Sequence, residues 1–148
     1  MTDHRHLFEF EEIFRQFFRT MTSSWNKFSE NGMTAAQGFF LEKLELEGPQ
    51  KVSQIAEALC YTSGAITALT DKLIASGYVE RERNEEDRRV VYLTITEEGR
   101  KMLGSIRSRR KANVEKYFGD LPDEDIDHLI RIFKQVLYNN EMRNENKE

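Results

Sequence analysis

Apolar residues near the start of the chain recur at intervals of three, four and seven: Phe10, Ile13, Phe14, Phe17, Phe18, Met21 and Trp25. This is the spacing of one stripe on an α-helix, and no proline or glycine interrupts it from Leu7 to Phe28, so one long helix is expected there. Asn31-Gly32 ends it. Thr34-Ala35-Ala36-Gln37 has the form of a capping box, in which the threonine hydroxyl and the glutamine amide satisfy opposite free backbone donors. The helix it opens carries Phe40, Leu41, Leu44 and Leu46 and stops at Gly48-Pro49. Ser53 is the expected N-cap of a short helix over Gln54–Leu59, with Ile55, Ala56 and Leu59 on one face. A turn at Cys60-Tyr61 follows, and Thr62 or Ser63 caps a further helix that runs to Ser76. Gly77 closes it, because glycine accepts the left-handed backbone that ends many helices.

Beyond Gly77 the apolar period falls to two. Val91, Leu93 and Ile95 lie on one side of a strand and Val90, Tyr92 and Thr94 on the other, with Tyr78 to Glu82 as the partner strand. The charged run Arg83-Asn84-Glu85-Glu86-Asp87-Arg88 between them reads as a protruding hairpin tip. Thr96-Glu97-Glu98 then opens a long helix expected to reach about Tyr117. Gly119-Asp120-Leu121-Pro122 breaks it, and a last helix follows with Ile126, Leu129, Ile130, Phe133, Val136 and Leu137 as its stripe. The polar tail after Asn139 is expected to fray. The fold class predicted is mostly α with a small β-hairpin.

Two short helices followed by a charged hairpin form a winged helix-turn-helix. A helix enters the major groove with short polar side chains toward the base edges and an apolar face anchored behind. Ile66, Leu69 and Leu73 supply the anchor; Thr62, Ser63 and Thr67 face outward, Gly64 and Ala68 permit close approach, and Lys72 reaches toward a phosphate. The hairpin adds cations at Arg81, Arg83, Arg88 and Arg89, with Asp87 placed to brace one of them, and an arginine at such a tip suits a minor groove.

Composition changes this picture in one respect. The formal net charge is −4, which excludes bulk attraction to a polyanion and leaves any nucleic-acid contact to a few placed cations. The 148 residues suit one folded unit, and no apolar run approaches the roughly 18 residues that span a bilayer. Without a secretory pattern at the start, and with a lone cysteine, the expectation is a cytoplasmic protein with no membrane partner. Neither a Ser-His-Asp set nor a phosphate-binding loop points to an enzyme, and no cofactor is expected.

The segments Val52-Ser53-Gln54-Ile55-Ala56-Glu57-Ala58-Leu59, Thr62 to Gly77, Glu86-Asp87-Arg88-Arg89 and Leu93-Thr94-Ile95-Thr96-Glu97-Glu98-Gly99 resemble the MarR family of bacterial transcriptional regulators. The resemblance implies a single MarR-like domain over 1–148. Its winged DNA-binding lobe would span 34–99, and long terminal dimerisation helices would occupy 1–30 and 100–141. It implies a homodimer that reads a pseudo-palindromic double-stranded operator as a transcriptional regulator, a repressor released by a small effector being the simplest form. The family's recognition contacts fall on Thr62, Ser63, Gly64, Thr67 and Ala68, and its Asp-x-Arg wing pattern on Asp87 and Arg89. Arg89 is assigned to the minor groove and Arg88 to phosphate, the exchanged assignment staying open. Ala68 and Gly64 depart from the arginine and serine common in relatives, which shifts discrimination toward the wing. The alternative is a winged helix that docks a protein partner without sequence-specific DNA binding.

Other residues have a functional and a bland reading. Phe14, Phe17, Phe18, Phe39 and Phe40 form a candidate pocket for a small aromatic effector, or else core and dimer interface. Cys60 is read as a small buried hydrophobe rather than a redox sensor. His4, His6 and His128 are read as solvated rather than metal-binding, and the basic run Arg100, Lys101, Arg107, Arg109, Arg110 and Lys111 as a solvated face.

Overall fold

A computed structural model describes residues 3–27 and 32–145, with backbone alone at 25–27. The readings placed on Trp25, Phe28 and Asn31 lie outside the described side chains. Among the described residues six helices and one hairpin follow in the order α1 (His4–Lys27), α2 (Ala35–Glu47), α3 (Val52–Leu59), α4 (Ser63–Ala75), β1 (Val79–Arg83), β2 (Val91–Ile95), α5 (Glu97–Phe118) and α6 (Asp123–Glu145). The chain forms two compact units, Met1–Arg110 and Lys111–Glu148. Among the described residues no helix is long and apolar enough to cross a membrane.

The first unit is built around one apolar centre. Phe40, Leu41 and Leu44 of α2, Ile55 of α3, Ile66 and Leu73 of α4, Val79, Leu93 and Ile95 of the hairpin and Leu103 and Ile106 of α5 are buried together. Each such side chain contributes roughly 1.5–3 kcal/mol when withdrawn from water. Leu46, by contrast, is exposed. The strands pair antiparallel from Val79 opposite Ile95 to Arg83 opposite Val91, and Gln50 extends the ladder by exchanging backbone bonds with Leu93 at 3.1 and 2.7 Å.

Local chemistry sets most helix boundaries. Thr34 Oγ1 accepts from the Gln37 N–H at 3.3 Å and Gln37 Oε1 accepts from the Thr34 N–H at 2.8 Å, the reciprocal box read in the sequence. Gly48 and Gly77 take φ of 75° and 80° at the ends of α2 and α4. Ser53 is not a cap: α3 begins earlier, with Lys51 as the N-cap, and Gln54 Oε1 accepts from the Lys51 N–H at 2.8 Å. Gln54 reaches back from the third helical position to the N–H of the N-cap residue itself, a different donor from those a capping serine would satisfy. The expected fraying after Asn139 is corrected as well, since α6 continues to Glu145. Asn139 and Asn140 remain compatible with a helix once its turns are running, because propagation is far easier than nucleation.

A joint ties α4, the hairpin and α5 together. The Thr96 N–H donates to the Tyr78 carbonyl at 3.0 Å, the Thr96 hydroxyl donates to the Gly77 carbonyl at 2.6 Å and accepts from the Gly99 N–H at 3.0 Å. A Cβ on Gly99 would collide with the Tyr78 carbonyl oxygen and lie 2.7 Å from Ile95 Cγ1. Glycine is required there for close approach.

The basic run of α5 is largely exposed, as expected, and three of its arginines are also paired to carboxylates of α2. Arg107 and Arg110 both donate to Glu42, at 2.8 and 3.1 Å, and Arg100 donates to Glu45 at 3.0 Å, so α5 is clamped to α2. The glutamates that meet these cations lie far away along the chain, out of reach of any local charge pattern. The Arg107 guanidinium is the main reason the Glu42 carboxyl sits below its usual range, and Arg110 adds to it.

In α6 no residue is buried within the single chain. Ile130, Phe133, Val136 and Leu137 stand open, as do Phe10, Phe14 and Phe18 on α1.

Gly99→Ala should lower stability by roughly 1–3 kcal/mol through overpacking, read as a drop in thermal midpoint. Gly104→Ala, where a Cβ meets nothing within 4 Å, should instead raise it by roughly 0.5–1 kcal/mol through helix propensity. Equal behaviour of the two would remove the joint. Glu42→Gln should cost about 1 kcal/mol or less, since both arginines are substantially exposed. Because the folded carboxyl titrates below its ordinary value, that contribution is present above the ordinary glutamate range and fades as pH falls through the lowered one. The gap between wild type and Glu42→Gln in urea titrations should therefore close in acid.

Candidate nucleic-acid interface

Helices α3 and α4 are linked through a strained turn. Cys60 takes φ 55° and ψ 41°, and among the described residues it is the non-glycine with positive φ. Its N–H donates to the Glu57 carbonyl at 3.1 Å and the Tyr61 N–H to the Ala56 carbonyl at 2.9 Å, bonds that close α3. Cys60 is exposed, which corrects its reading as a buried hydrophobe: a helix-terminating turn points the side chain away from the core on which α3 packs.

Helix α4 has two faces. Ile66, Thr70 and Leu73 are buried and Leu69 is half-buried, whereas Thr62, Ser63, Gly64, Thr67, Ala68 and Lys72 are exposed. Thr62 Oγ1 accepts from the Ala65 N–H at 3.3 Å and is the N-cap. The Thr67 hydroxyl donates to the Ser63 carbonyl at 2.7 Å, so its proton is committed to the backbone while its methyl group and lone pairs remain available. A Cβ on Gly64 would meet nothing within 4 Å, so the fold does not itself demand glycine there.

The wing tip is held by two side chains. Asn84 Oδ1 accepts from the N–H groups of Glu86 and Asp87 at 2.8 and 3.3 Å, an Asx turn that shapes the tip. Asp87 accepts from Arg89 three times: from the backbone N–H at 3.1 Å, from Nε at 3.1 Å and from Nη2 at 3.2 Å. This fork fixes the Arg89 guanidinium against Asp87 while its side chain stays 91% exposed. The same bonds, the guanidinium first, pull the Asp87 carboxyl below its usual range. Arg88 is exposed and makes no ion pair among the described residues. Arg81 is committed elsewhere, to Asp71 of α4 at 2.7 Å.

The structure thus gathers Thr62, Ser63, Gly64, Thr67 and Ala68 on one exposed helix face, and Asp87, Arg88 and Arg89 in one short turn. Asn84 was missed by the sequence reading, although an asparagine opening a charged tip carries a known turn signal. Of the five aromatic candidates, Phe14, Phe18 and Phe39 are exposed, Phe17 is half-buried and Phe40 is fully buried in the core. Among the described residues no group of three or more histidine, cysteine or carboxylate side chains is arranged to hold a metal ion.

Residues 33–91 match the sequence model of the MarR family. The HTH-type transcriptional repressor MdtR of Bacillus subtilis is 33% identical over 116 residues, covering 78% of this chain and 73% of the relative. The HTH-type transcriptional regulator YkoM of the same organism is 31% identical over 125 residues, covering 84% and 81%. The fold is shared by a MarR family protein from Bacillus stearothermophilus, with a TM-score of 0.81 at 20% identity over 94% of this chain and 98% of that one.

Arg89→Ala should move the Asp87 titration midpoint upward toward that of an ordinary aspartate, as followed by carboxyl NMR shifts across acid pH. An unmoved midpoint would show that the fork does not persist in solution.

Proposed function

The chain belongs to the MarR family and is a DNA-binding transcriptional regulator, and from that premise we propose that it acts as a homodimer on a pseudo-palindromic operator through α4 and the wing. The observation that carries this reading is the two-faced α4 followed by a wing whose exposed Arg89 is held by Asp87. Short groups on α4 meet base edges in the major groove; Arg89 enters the flanking minor groove, and Arg88 and Lys72 meet phosphates.

A dimer is supported by the open apolar stripes of both terminal helices. On α1 the rings of Phe10, Phe14 and Phe18 stack with centroids 5.7 and 6.3 Å apart, and their exposure to water is unfavourable unless another surface covers them. Two copies place their α4 helices in successive major grooves about 34 Å apart. Repression follows where such a dimer overlaps a promoter, the role carried in the name of MdtR. A small aromatic effector seated at Phe14, Phe17, Phe18 and Phe39 would release DNA by favouring a different spacing of the lobes. Phe40 contributes to its support from within the core. A regulator of a chromosomal operator would act in the cytoplasm, where that DNA lies.

The net charge of −4 does not favour the protein-docking alternative. Glu42 and Glu45 are paired to α5 arginines, so part of the acidic total is internal to the fold, while Arg88 and Arg89 stand on the exposed wing.

Affinity for a duplex selected from random sequence should fall steeply with salt. Arg89→Ala should weaken that binding by about 1–3 kcal/mol with the thermal midpoint unchanged. Thr67→Ala should reduce the ratio of specific to non-specific affinity more than it reduces non-specific affinity. Salt-insensitive or unselective binding by the wild type would return the docking alternative.

A further inference from the structure

Recognition helix and wing are joined by an ion pair that neither element needs in order to form. Asp71, the only carboxylate in α4, lies four residues beyond Thr67, and Arg81 is central in β1, opposite Leu93. Arg81 Nη2 stands 2.7 Å from Asp71 Oδ1, ten residues away in sequence, and the two side chains are 52% and 59% exposed. Arg83, two residues further along the strand, makes no ion pair among the described residues. Two arginines of one strand therefore differ in what they hold.

We propose that Arg81 is a positioning residue for DNA binding: by gripping Asp71 it fixes the wing relative to α4, and it does not itself contact phosphate. The inference rests on the DNA-binding reading above. A pair this exposed adds little to folding stability. Its effect is concentrated where α4 and the wing must engage adjacent grooves together. Two contacts on one rigid body reinforce each other, and that reinforcement weakens when the body between them bends. The short charge-assisted bond adds stiffness beyond the hairpin's base, where Val79 is buried and the Tyr78 N–H donates to the Leu73 carbonyl.

The test measures binding of wild type, Arg81→Ala, Arg81→Lys, Asp71→Asn, Arg83→Ala and the swap Asp71→Arg with Arg81→Asp. Each is titrated across salt on the duplex that the wild type selects from random sequence. Arg81→Ala should weaken binding about three- to tenfold without changing the dependence of log affinity on log salt, and Arg81→Lys should recover part of the loss. Asp71→Asn should weaken binding to a similar extent even though it removes a negative charge near a polyanion, and the swap should restore most of the affinity. Arg83→Ala should lower the salt slope by about one. Thermal midpoints should stay near the wild-type value. The proposal is overturned if Arg81→Ala lowers the salt slope by about one, if Asp71→Asn strengthens binding, or if the affinity losses follow losses of thermal stability. Absence of salt-dependent duplex binding by the wild type would overturn the underlying reading and this proposal with it, an outcome distinct from the other three.

Discussion

Three elements meet at the carbonyls of Gly77 and Tyr78, and the geometry of the interface depends on that meeting. Tyr78 N–H donates to the Leu73 carbonyl at 3.0 Å, which continues the end of α4 into the hairpin. Thr96 takes both following carbonyls, one with its hydroxyl and one with its N–H, and Gly99 brings the first turn of α5 flat against the same point. A helix end leaves carbonyls without partners, and here the Thr96 side chain, between β2 and α5, supplies one. The direction of α4, the base of the wing and the start of α5 are thus set by one small group of bonds rather than by three separate packings.

Charge is distributed on the same principle of local pairing. The most basic segment of the chain binds α2: Arg100, Arg107 and Arg110 are directed at Glu45 and Glu42, across 55 to 68 residues of sequence. Arg81 and Arg89 have carboxylate partners within or next to the wing, so their positions are constrained even though their side chains stay largely in water. Net charge describes none of this. What matters for a polyanion is which cations are held outward, and the wing holds Arg88 and Arg89 in that way.

The capping box at Thr34, the left-handed glycine at Gly77, the buried face Ile66–Leu73 and the alternation of Val91, Leu93 and Ile95 were legible because each is set by residues near one another in sequence. So were the exposed positions of α4 and the pairing of Asp87 with an arginine. What escaped was decided at a distance or by competition. Lys51 rather than Ser53 became the N-cap of α3, the α5 arginines found glutamates on another helix, and Cys60 adopted a backbone that sequence alone would have given to glycine or asparagine. Phe40 shared a residue type with the open aromatics, yet its place on α2 sent it to the core.

The separation of α4 into two faces also bears on how such a protein diversifies. Ile66, Thr70 and Leu73 are bound into the core, so change there risks the fold. Around Gly64 the space is empty, and Ser63, Thr67 and Ala68 border solvent. New side chains can be tried at those four positions without repacking anything beneath them, and most will stay above the stability threshold that limits variation. After a gene duplication, two copies could drift apart in the outward surface of this helix while keeping one interior, because its outward face and its inward support are carried by different residues.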